Sequence, residues 1–406
     1  MTGIVKTDQI QGAGSSTVTI PSGTALNVTT LSGTPTFSGD VTLPSINGGQ
    51  IGGRRNIVIN GAMQVAQRGT SSSGLGATSA GYTTVDRYAA YAGADATAGR
   101  YTMSQSTVTD LEGFSNALKI DCTTADTSIA AGEALLIQHP VEGFNVQQLK
   151  ATSTTTRAFT LSFYAKSNAS RAIATEINIT NGTNNSASKL HTIGTSWARY
   201  TFTVPAASST QIDNDNSSEL QVNFWLHAGS TYSSGTMSAS LAPITNANRA
   251  AGIGSIFAST DNEIEITGVQ LELGETATAF EHRSFGEELD LCHRYFQQFA
   301  RTATNSFRIV LTGNGGTNPL GGFTYPKTMR AAPTANYFGS NTDGGNFNVN
   351  TPANGSLGNS GPSYIVVADN TLLWNFACPS GAGSTPAWID CGTQTNGFGW
   401  TLESEL

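Results

Sequence analysis

The chain is 406 residues long, only 12% of them charged, and carries a formal net charge of −8 at pH 7. That balance excludes a binder of phosphate backbones, which needs a basic face to release counterions, so nucleic acid is not an expected partner. No stretch approaches the roughly 20 apolar residues of a membrane-spanning helix, and the opening MTGIVKTDQI lacks the basic and apolar regions of a secretory signal, so neither membrane insertion nor export by that route is expected.

Forty-five residues are Gly, and Ser, Thr and Asn crowd the rest. Helix formers are scarce and turn and strand residues plentiful, which predicts an all-β protein. Residues 1–53, as in STVTIPSGTALNVTTLSGTPTFSGDVTLPSING, set short strand-like runs between Gly and Pro turns and hold too little apolar surface to bury a core alone. They are expected to form an extended segment ordered by copies of itself and by a docking partner. Over residues 54–283 the alternation is stronger. In RAFTLSFYAKS, Phe159, Leu161, Phe163 and Ala165 share one face; in WARYTFTVP, Ala198, Tyr200, Phe202 and Val204 do; in ELQVNFWLHA, Leu220, Val222, Phe224 and Leu226 do. Such strands, joined by polar loops, predict two antiparallel sheets packed face to face in a jelly-roll β-sandwich. In GVQLELG, Gly268 disturbs the alternation as a bulge does.

After Ser284 the period changes from two to between three and four. Ser284 and Glu287 have capping-box spacing, and Leu289, Cys292, Phe296 and Phe299 fall on one stripe, which predicts a helix over residues 284–300 linking two β units. Two partners suit the stripe: a neighbouring β domain, or the same stripe of two further copies in a three-helix plug. Barely more than one heptad is present, which favours the first. Residues 301–406 predict a second, smaller β domain with strands near 306–312, 364–368, 371–377 and 397–402. Between them NTDGGNFNVNTPANGSLGNSGPS reads as a long loop.

Chemistry-bearing motifs are missing. There is no GxSxG elbow, Walker loop, HExxH, or GxGxxG after a strand, so no catalytic residue and no cofactor is expected, and the chain is read as a non-enzyme. Cys122, Cys292, Cys378 and Cys391 lie far apart with no His at ligand spacing, which predicts free thiols and no metal site. Of the carboxylate pairs, Asp213 and Asp215 read as loop residues with local turn bonds, and Glu263 and Glu265 as the wet face of a strand. Trp225 and His227 fall opposite the face of Val222, Phe224 and Leu226, and Trp197 opposite that of Tyr200. Exposed rings are platforms for the apolar faces of sugars, so Trp225, His227 and Trp197 are the candidate glycan-binding residues. The alternative for each is burial under a loop or a neighbouring subunit, and the same two readings apply to Trp374, Trp388 and Trp400.

Several segments carry a resemblance. NIVINGAMQVAQRGTSSS with YTTVDRY, residues 56–73 and 82–88, resembles the opening of a family of phage tail fibre and virion structural proteins. ALKIDC, FTLSFYAKS and TSWARYTFTVP resemble strands of the carbohydrate-binding jelly-roll modules of those proteins. ITGVQLELGETATAFEHRSFGEELDLCHRYF is similar to the junction after the jelly roll, and KTMRAAPT, residues 327–334, to the start of the C-terminal β domain. Residues 1–53 match nothing specific. In VDRY, Asp86 and Arg87 are expected to pair and close the N-terminal strand.

The resemblance implies a virion structural protein of a phage tail fibre, assembled in the host cytoplasm and displayed on the virion. Together with the core-poor N-terminus and the helical stripe, it leads to an expected homotrimer, anchored on other tail or baseplate proteins through residues 1–53 and adsorbing to host surface glycan. A head fibre or capsid decoration protein is the alternative in the same class. A glycan depolymerase and a purely structural adaptor are the alternatives in others.

Overall fold

The structure is a computed structural model that describes residues 54–76, 80–93, 98–208, 210–301, 308–311, 320–338, 347–351, 355–360, 362–367, 371–376, 387–390 and 398–406. These belong to one compact unit, Ser45–Leu406. Expectations for residues 1–53, for Cys378 and Cys391, and for the side chains of Trp374, Trp388 and Trp400 lie outside the described set.

The first strands among the described residues are β1 (Ser71–Gly76), β2 (Ala80–Tyr82), β3 (Ala89–Ala92), β4 (Arg100–Thr107), β5 (Asn116–Thr124) and β6 (Ala134–Glu142). A short α1 (Gly143–Val146) and the small β7 (Lys150–Thr152) and β8 (Thr155–Thr156) lead to β9 (Phe159–Ser167), β10 (Arg171–Ile179), β11 (Asn185–Ile193) and β12 (Ala198–Val204). After β13 (Ala207–Ser208) come β14 (Ser218–Ala228), α2 (Ser230–Ser233), β15 (Ala242–Pro243) and β16 (Glu263–Leu273). They form a six-stranded sheet in the order β1-β4-β5-β16-β9-β12 and a seven-stranded sheet in the order β15-β11-β10-β14-β6-β3-β2, with β13-β8-β7 as a small third sheet. Every pairing is antiparallel. This is the all-β sandwich that the alternation predicts.

The two sheets meet through the residues assigned to the dry faces. Phe159, Leu161, Phe163 and Ala165 are completely buried, and Leu220, Val222, Phe224 and Leu226 lie with them in one core. Phe202 and Val204 join that core, Tyr200 packs on its rim, and Ala198 stays exposed at the start of its strand. Fully burying side chains of this size is worth roughly 1.5–3 kcal/mol each, which is why the period-two pattern fixes the register. The bulge at Gly268 is present: pairing of β16 with β9 shifts register between Thr267 and Gln270.

The motif NIVING lies beside this bulge. Asn56 accepts from the backbone of Val58 and Leu271 (3.0 and 3.1 Å) and donates to the carbonyl of Val269 at 3.0 Å. Asn60 adopts φ 59° and uses its side chain to bind Val65 and the carbonyl of Asp86. Asparagine suits both places, since it tolerates the left-handed region and offers a donor and an acceptor to buried backbone.

Three expectations are corrected here. The helix expected over residues 284–300 is α3 (Phe285–Cys292), started by the capping box of Ser284 and Glu287; the chain then turns and enters β17 (Phe296–Arg301). Cys292 and Phe296 are buried within the chain, Cys292 with Ile59, Val65 and Tyr295, so the stripe packs on its own β unit and not into a three-helix plug. A strand partner for residues 296–301 outweighs the helical period, because sheet pairing satisfies the same backbone groups as a further helical turn.

That partner is at the far end of the chain. Beyond β17 run β18 (Arg308–Leu311), β19 (Leu320–Thr324), β20 (Thr334–Phe338), β21 (Phe347–Thr351), β22 (Gly355–Ser360), β23 (Pro362–Val367), β24 (Thr371–Phe376), β25 (Ala387–Asp390) and β26 (Phe398–Glu403). Their sheets are ordered β17-β26-β20, β18-β25-β21-β22 and β19-β24-β23. The second correction is therefore β21 and β22, which fall in the segment read as a long loop and pair with each other, β21 also with β25. Asn- and Gly-rich sequence has weak intrinsic strand preference, and pairing to a neighbour supplies what propensity does not.

The third correction concerns VDRY. Asp86 and Arg87 do not pair with each other. Asp86 accepts from the backbone and side chain of Gln67 and faces Arg68 at 3.8 Å, while Arg87 turns to Glu405.

Candidate functional site

The three aromatic candidates separate. Trp225, on β14, does point to the outer face of the seven-stranded sheet, but it is only 1% exposed. Ala250, Tyr232, Met237 and Ile253 of the segment that follows β14 lie over it. Its Nε1 donates to Glu176 Oε2 at 3.0 Å, Asn223 donates to the same oxygen at 3.1 Å, and Arg249 grips the carboxylate with Nε and Nη2 at 2.8 and 2.9 Å. The Arg249 guanidinium also stands 4.9 Å from the centre of the Trp225 rings. A buried carboxylate with four donors is a structural anchor whose partners satisfy one another. His227 is likewise buried, bonded to Glu133 at 2.9 Å and to Ser255 at 2.7 Å, and burial holds its pKa below the usual histidine range. Neither residue is accessible to a glycan, because the alternation that turns them outward carries no information about what crosses above.

Trp197 is half-buried at the surface, immediately before β12 of the other sheet. Its Nε1 donates to Asp110 Oδ1 at 2.8 Å, and Lys166 Nζ lies 4.9 Å from its ring centre. Lys166 also binds Asp110 at 3.1 Å and Glu265 at 3.0 Å, and Ser106 donates to the other oxygen of Glu265 at 2.7 Å. Register explains the gathering. Lys119, Glu265 and Lys166 are direct cross-strand neighbours on β5, β16 and β9, so they form one row across the outer face of the six-stranded sheet, with Trp197 at its end. Glu263 pairs with Lys119. One strand step along, Tyr164 and Arg199 face each other across β9 and β12, the guanidinium 5.9 Å from the tyrosine ring and bonded to Ser162 at 2.9 Å.

The charges in this row are matched. Burial pulls the Lys166 ammonium down, and its bonds to Glu265 and Asp110 more than offset this, so its pKa rises. Lys119 behaves in the same way toward Glu263. The indole donor of Trp197, followed by Lys166, holds the Asp110 carboxyl below its usual range. What results is a surface strip of fixed donors and acceptors flanked by an indole and a phenol, the composition that reads hydroxyl groups and stacks on the apolar face of a sugar ring. Glu263 and Glu265 are thus lysine-paired acceptors on the wet face of β16. Asp215 binds the backbone and hydroxyl of Ser217 at 2.9 and 3.2 Å, a local turn.

Among the described residues no group of three or more His, Cys, Asp or Glu is placed to hold a metal ion. Cys122 and Cys292 are free and buried. Tyr164 and Lys166 were legible as the wet face of FTLSFYAKS, whereas Asp110 arrives from the loop between β4 and β5 and gave no signal in the sequence.

No protein-family model and no curated protein matches the chain. Among solved structures, the enzymatically active domain of tailspike protein 4 of bacteriophage CBA120 is similar at 13% identity and a TM-score of 0.27, covering 54% of this chain and 21% of its own. A family-61 carbohydrate-binding module in complex with β-1,4-galactotriose is similar at 10% identity and a TM-score of 0.27, covering 54% of this chain and 99% of its own. The family-11 carbohydrate-binding module of a cellulosomal cellulase of Clostridium thermocellum gives 12% identity and a TM-score of 0.26, covering 52% and 100%. The chain spans about a fifth of the length of the tailspike domain. Scores this low carry nothing about the ligand of the present chain, whose fold rests on its own strands.

Proposed function

We propose that the chain is a virion structural protein of a phage tail fibre that adsorbs to host surface glycan, and that the outer face of the six-stranded sheet at Trp197 is where the glycan binds. The supporting observation is the row from Lys119 through Glu265 and Lys166 to Trp197, in which an indole at the surface adjoins polar groups already fixed by one another. Preorganised partners reduce the ordering cost of binding, which matters for a ligand as polar as a sugar. The virion role rests on the motif resemblance of residues 54–406.

The same row supports binding without cleavage. Glycoside hydrolysis needs one carboxyl that gives up a proton and one that attacks or activates water. Glu263 and Glu265 are each taken up in an ion pair with a lysine, so neither carboxylate stands free toward a glycosidic bond. In this reading three copies assemble on the virion, with residues 1–53 docking on other tail or baseplate proteins. Within one chain Cys292 of α3 is buried and Leu289 and Leu291 pack beside it, so that part of the stripe is already used inside the chain.

The test is adsorption of purified full-length protein to host cells and to extracted surface polysaccharide, with Trp197→Ala as the variant. Binding should fall at least about tenfold, a loss of roughly 1.4 kcal/mol per site, with the unfolding midpoint unchanged. Wild-type adsorption by this variant would remove the row from the site.

A further inference from the structure

A second cleft, sharing no residue with the Trp197 row, opens where α1 meets the NIVING segment and α3. Its volume is about 230 Å³. Ile57, Ile59 and Leu291 give it an apolar floor, and Phe144 stands beside them 50% exposed, one of the few large apolar side chains so placed among the described residues. The polar lining consists mainly of side-chain amides, Asn145 and Gln148 among them.

Of the two guanidinium groups that line the cleft, one is matched by carboxylates. Arg283, on its wall, is held between Glu288 at 3.2 Å and Glu281 at 3.7 Å and donates to the carbonyls of Val58 and Asn56. Arg54 lies near the Glu287 carboxylate and lowers its pKa after the bonds from Ser284 have done so. The Arg283 guanidinium is thus engaged and not open to an anionic ligand, and a wholly apolar ligand would cover the Gln148 amide without pairing it. Phe144 is held in place from behind: its backbone N–H bonds Asp215 at 2.9 Å, and Gln147 ties the same turn to Gly143 and Asp213 at 2.8 and 2.7 Å. The backbone that carries the ring is thus tied down on the side away from the cleft.

We propose that this cleft binds an acetamido sugar, the methyl of the acetamido group on the Ile57, Ile59 and Leu291 floor, the pyranose ring against Phe144, and the amide and hydroxyl groups on the Asn145 and Gln148 rim. The inference rests on the glycan-binding reading above and names a ligand class for a separate site. An acetamido group is the substituent that matches a small apolar floor bordered by amides, because it brings one methyl together with one amide donor and acceptor. A plain hydroxyl leaves the floor unfilled. The cleft has room for about one sugar residue, so affinity comes from a single unit and is weak until several copies act together.

Chitotriose and cellotriose share a β-1,4 backbone and differ at C2, acetamido against hydroxyl, which makes them the probes. Titrating the full-length chain with each by calorimetry should show chitotriose binding at least about tenfold tighter. Phe144→Ala and Gln148→Ala should each weaken chitotriose by about that factor, whereas Trp197→Ala leaves it unchanged. Equal binding of the two trisaccharides, or full chitotriose affinity in Phe144→Ala, overturns the proposal. Loss of chitotriose in Trp197→Ala alone overturns the cleft while the Trp197 row stands. Retention of Phe144-dependent chitotriose binding in a protein that ignores host polysaccharide supports the cleft and removes the row.

Discussion

Arg87 and Glu405 stand 318 residues apart in the chain and form an ion pair in which Arg87 is completely buried. The guanidinium lies flat on Tyr295, 3.5 Å from the ring centre, and its other nitrogen donates to the carbonyl of Pro140 at 2.7 Å. Arg68 reinforces the contact, with Glu405 at 3.1 Å and Glu403 at 3.2 Å, and Arg330 holds the carbonyls of Ser404 and Glu405 at 2.7 and 2.8 Å. The last residues are thereby bound to the sandwich through the motif VDRY, and the backbone of Arg87 accepts a left-handed φ of 72° to present its side chain.

Breaking a buried pair by removing one partner leaves the other charge unmatched, at a cost of about 3–5 kcal/mol. Glu405→Ala should therefore destabilise the chain by that order in urea unfolding. Replacing both partners together, Arg87→Met with Glu405→Leu, should cost less than Glu405→Ala alone. A double variant as unstable as the sum of the single changes would show that the pair carries no coupling.

Trp225 and Trp197 should behave as opposites. Truncating the buried ring of Trp225 empties space under Tyr232 and Ala250 and takes one of its donors from the Glu176 carboxylate, so Trp225→Ala should cost about 3–5 kcal/mol. Trp197→Ala should stay within about 1 kcal/mol of the parent, as surface changes do, and lose glycan adsorption. Thermal unfolding of the two variants side by side checks this, and a stable Trp225→Ala protein would show that the overlying segment does not bury it as the structure shows.

Buried titratable groups set the pH profile. Burial lowers the pKa of His139 to about 3 and of His191 to about 4. Their neutral forms therefore contribute stability above the ordinary histidine value, and it is lost as pH falls from about 6.5 toward those values, near 1.4 kcal/mol per pH unit per group. Burial acts the other way on carboxyls, raising Asp86 to about 6 and Glu219 to about 7. Their contribution is present below their ordinary values and lost as pH rises to about 6 and 7. The two sets oppose each other between about pH 4.5 and 6.5, so the profile there should be shallow and the steep acid loss should come below it. Glu219→Gln removes one compensating group. Its stability relative to the parent should be more favourable at pH 8 than at pH 5 by about 2–3 kcal/mol, and an equal difference at both pH values would remove the raised carboxyl.

Period two revealed the sandwich because burial acts on alternate residues, and Phe159, Leu161 and Phe163 obey it without exception. The capping box at Ser284 was equally legible, being a local exchange of two hydrogen bonds. The end of α3 was not legible, since the stripe from Cys292 to Phe296 suits a helix and only the distant β26 converts residues 296–301 into a strand. The site shows the same division. Tyr164, Lys166 and Trp197 could be placed on outward faces from sequence, but the roof over Trp225 and the arrival of Asp110 depend on loops whose paths no periodicity encodes.

Gly268 joins the bulge in β16 to the surface beside the proposed platform. It sits at φ +59°, and a Cβ added there would lie 2.8 Å from both Phe114 Cζ and Tyr164 Cδ2. Phe114 belongs to a group of rings, 5.3 Å from Tyr164 and 5.1 Å from Phe280, with His282 4.8 Å from Phe280. Gly268→Ala should therefore cost about 1–3 kcal/mol through left-handed strain and displaced rings together. Because Tyr164 shares the outer face with Lys166, the variant should also weaken glycan adsorption. Gly268→Asn separates the two causes, since Asn tolerates the left-handed region but still carries a Cβ. The ring contacts lead us to expect nearly equal losses in urea unfolding for the Ala and Asn variants. Recovery of stability in Gly268→Asn would mean that backbone strain, and not the approach to Phe114 and Tyr164, is what reserves the position for glycine.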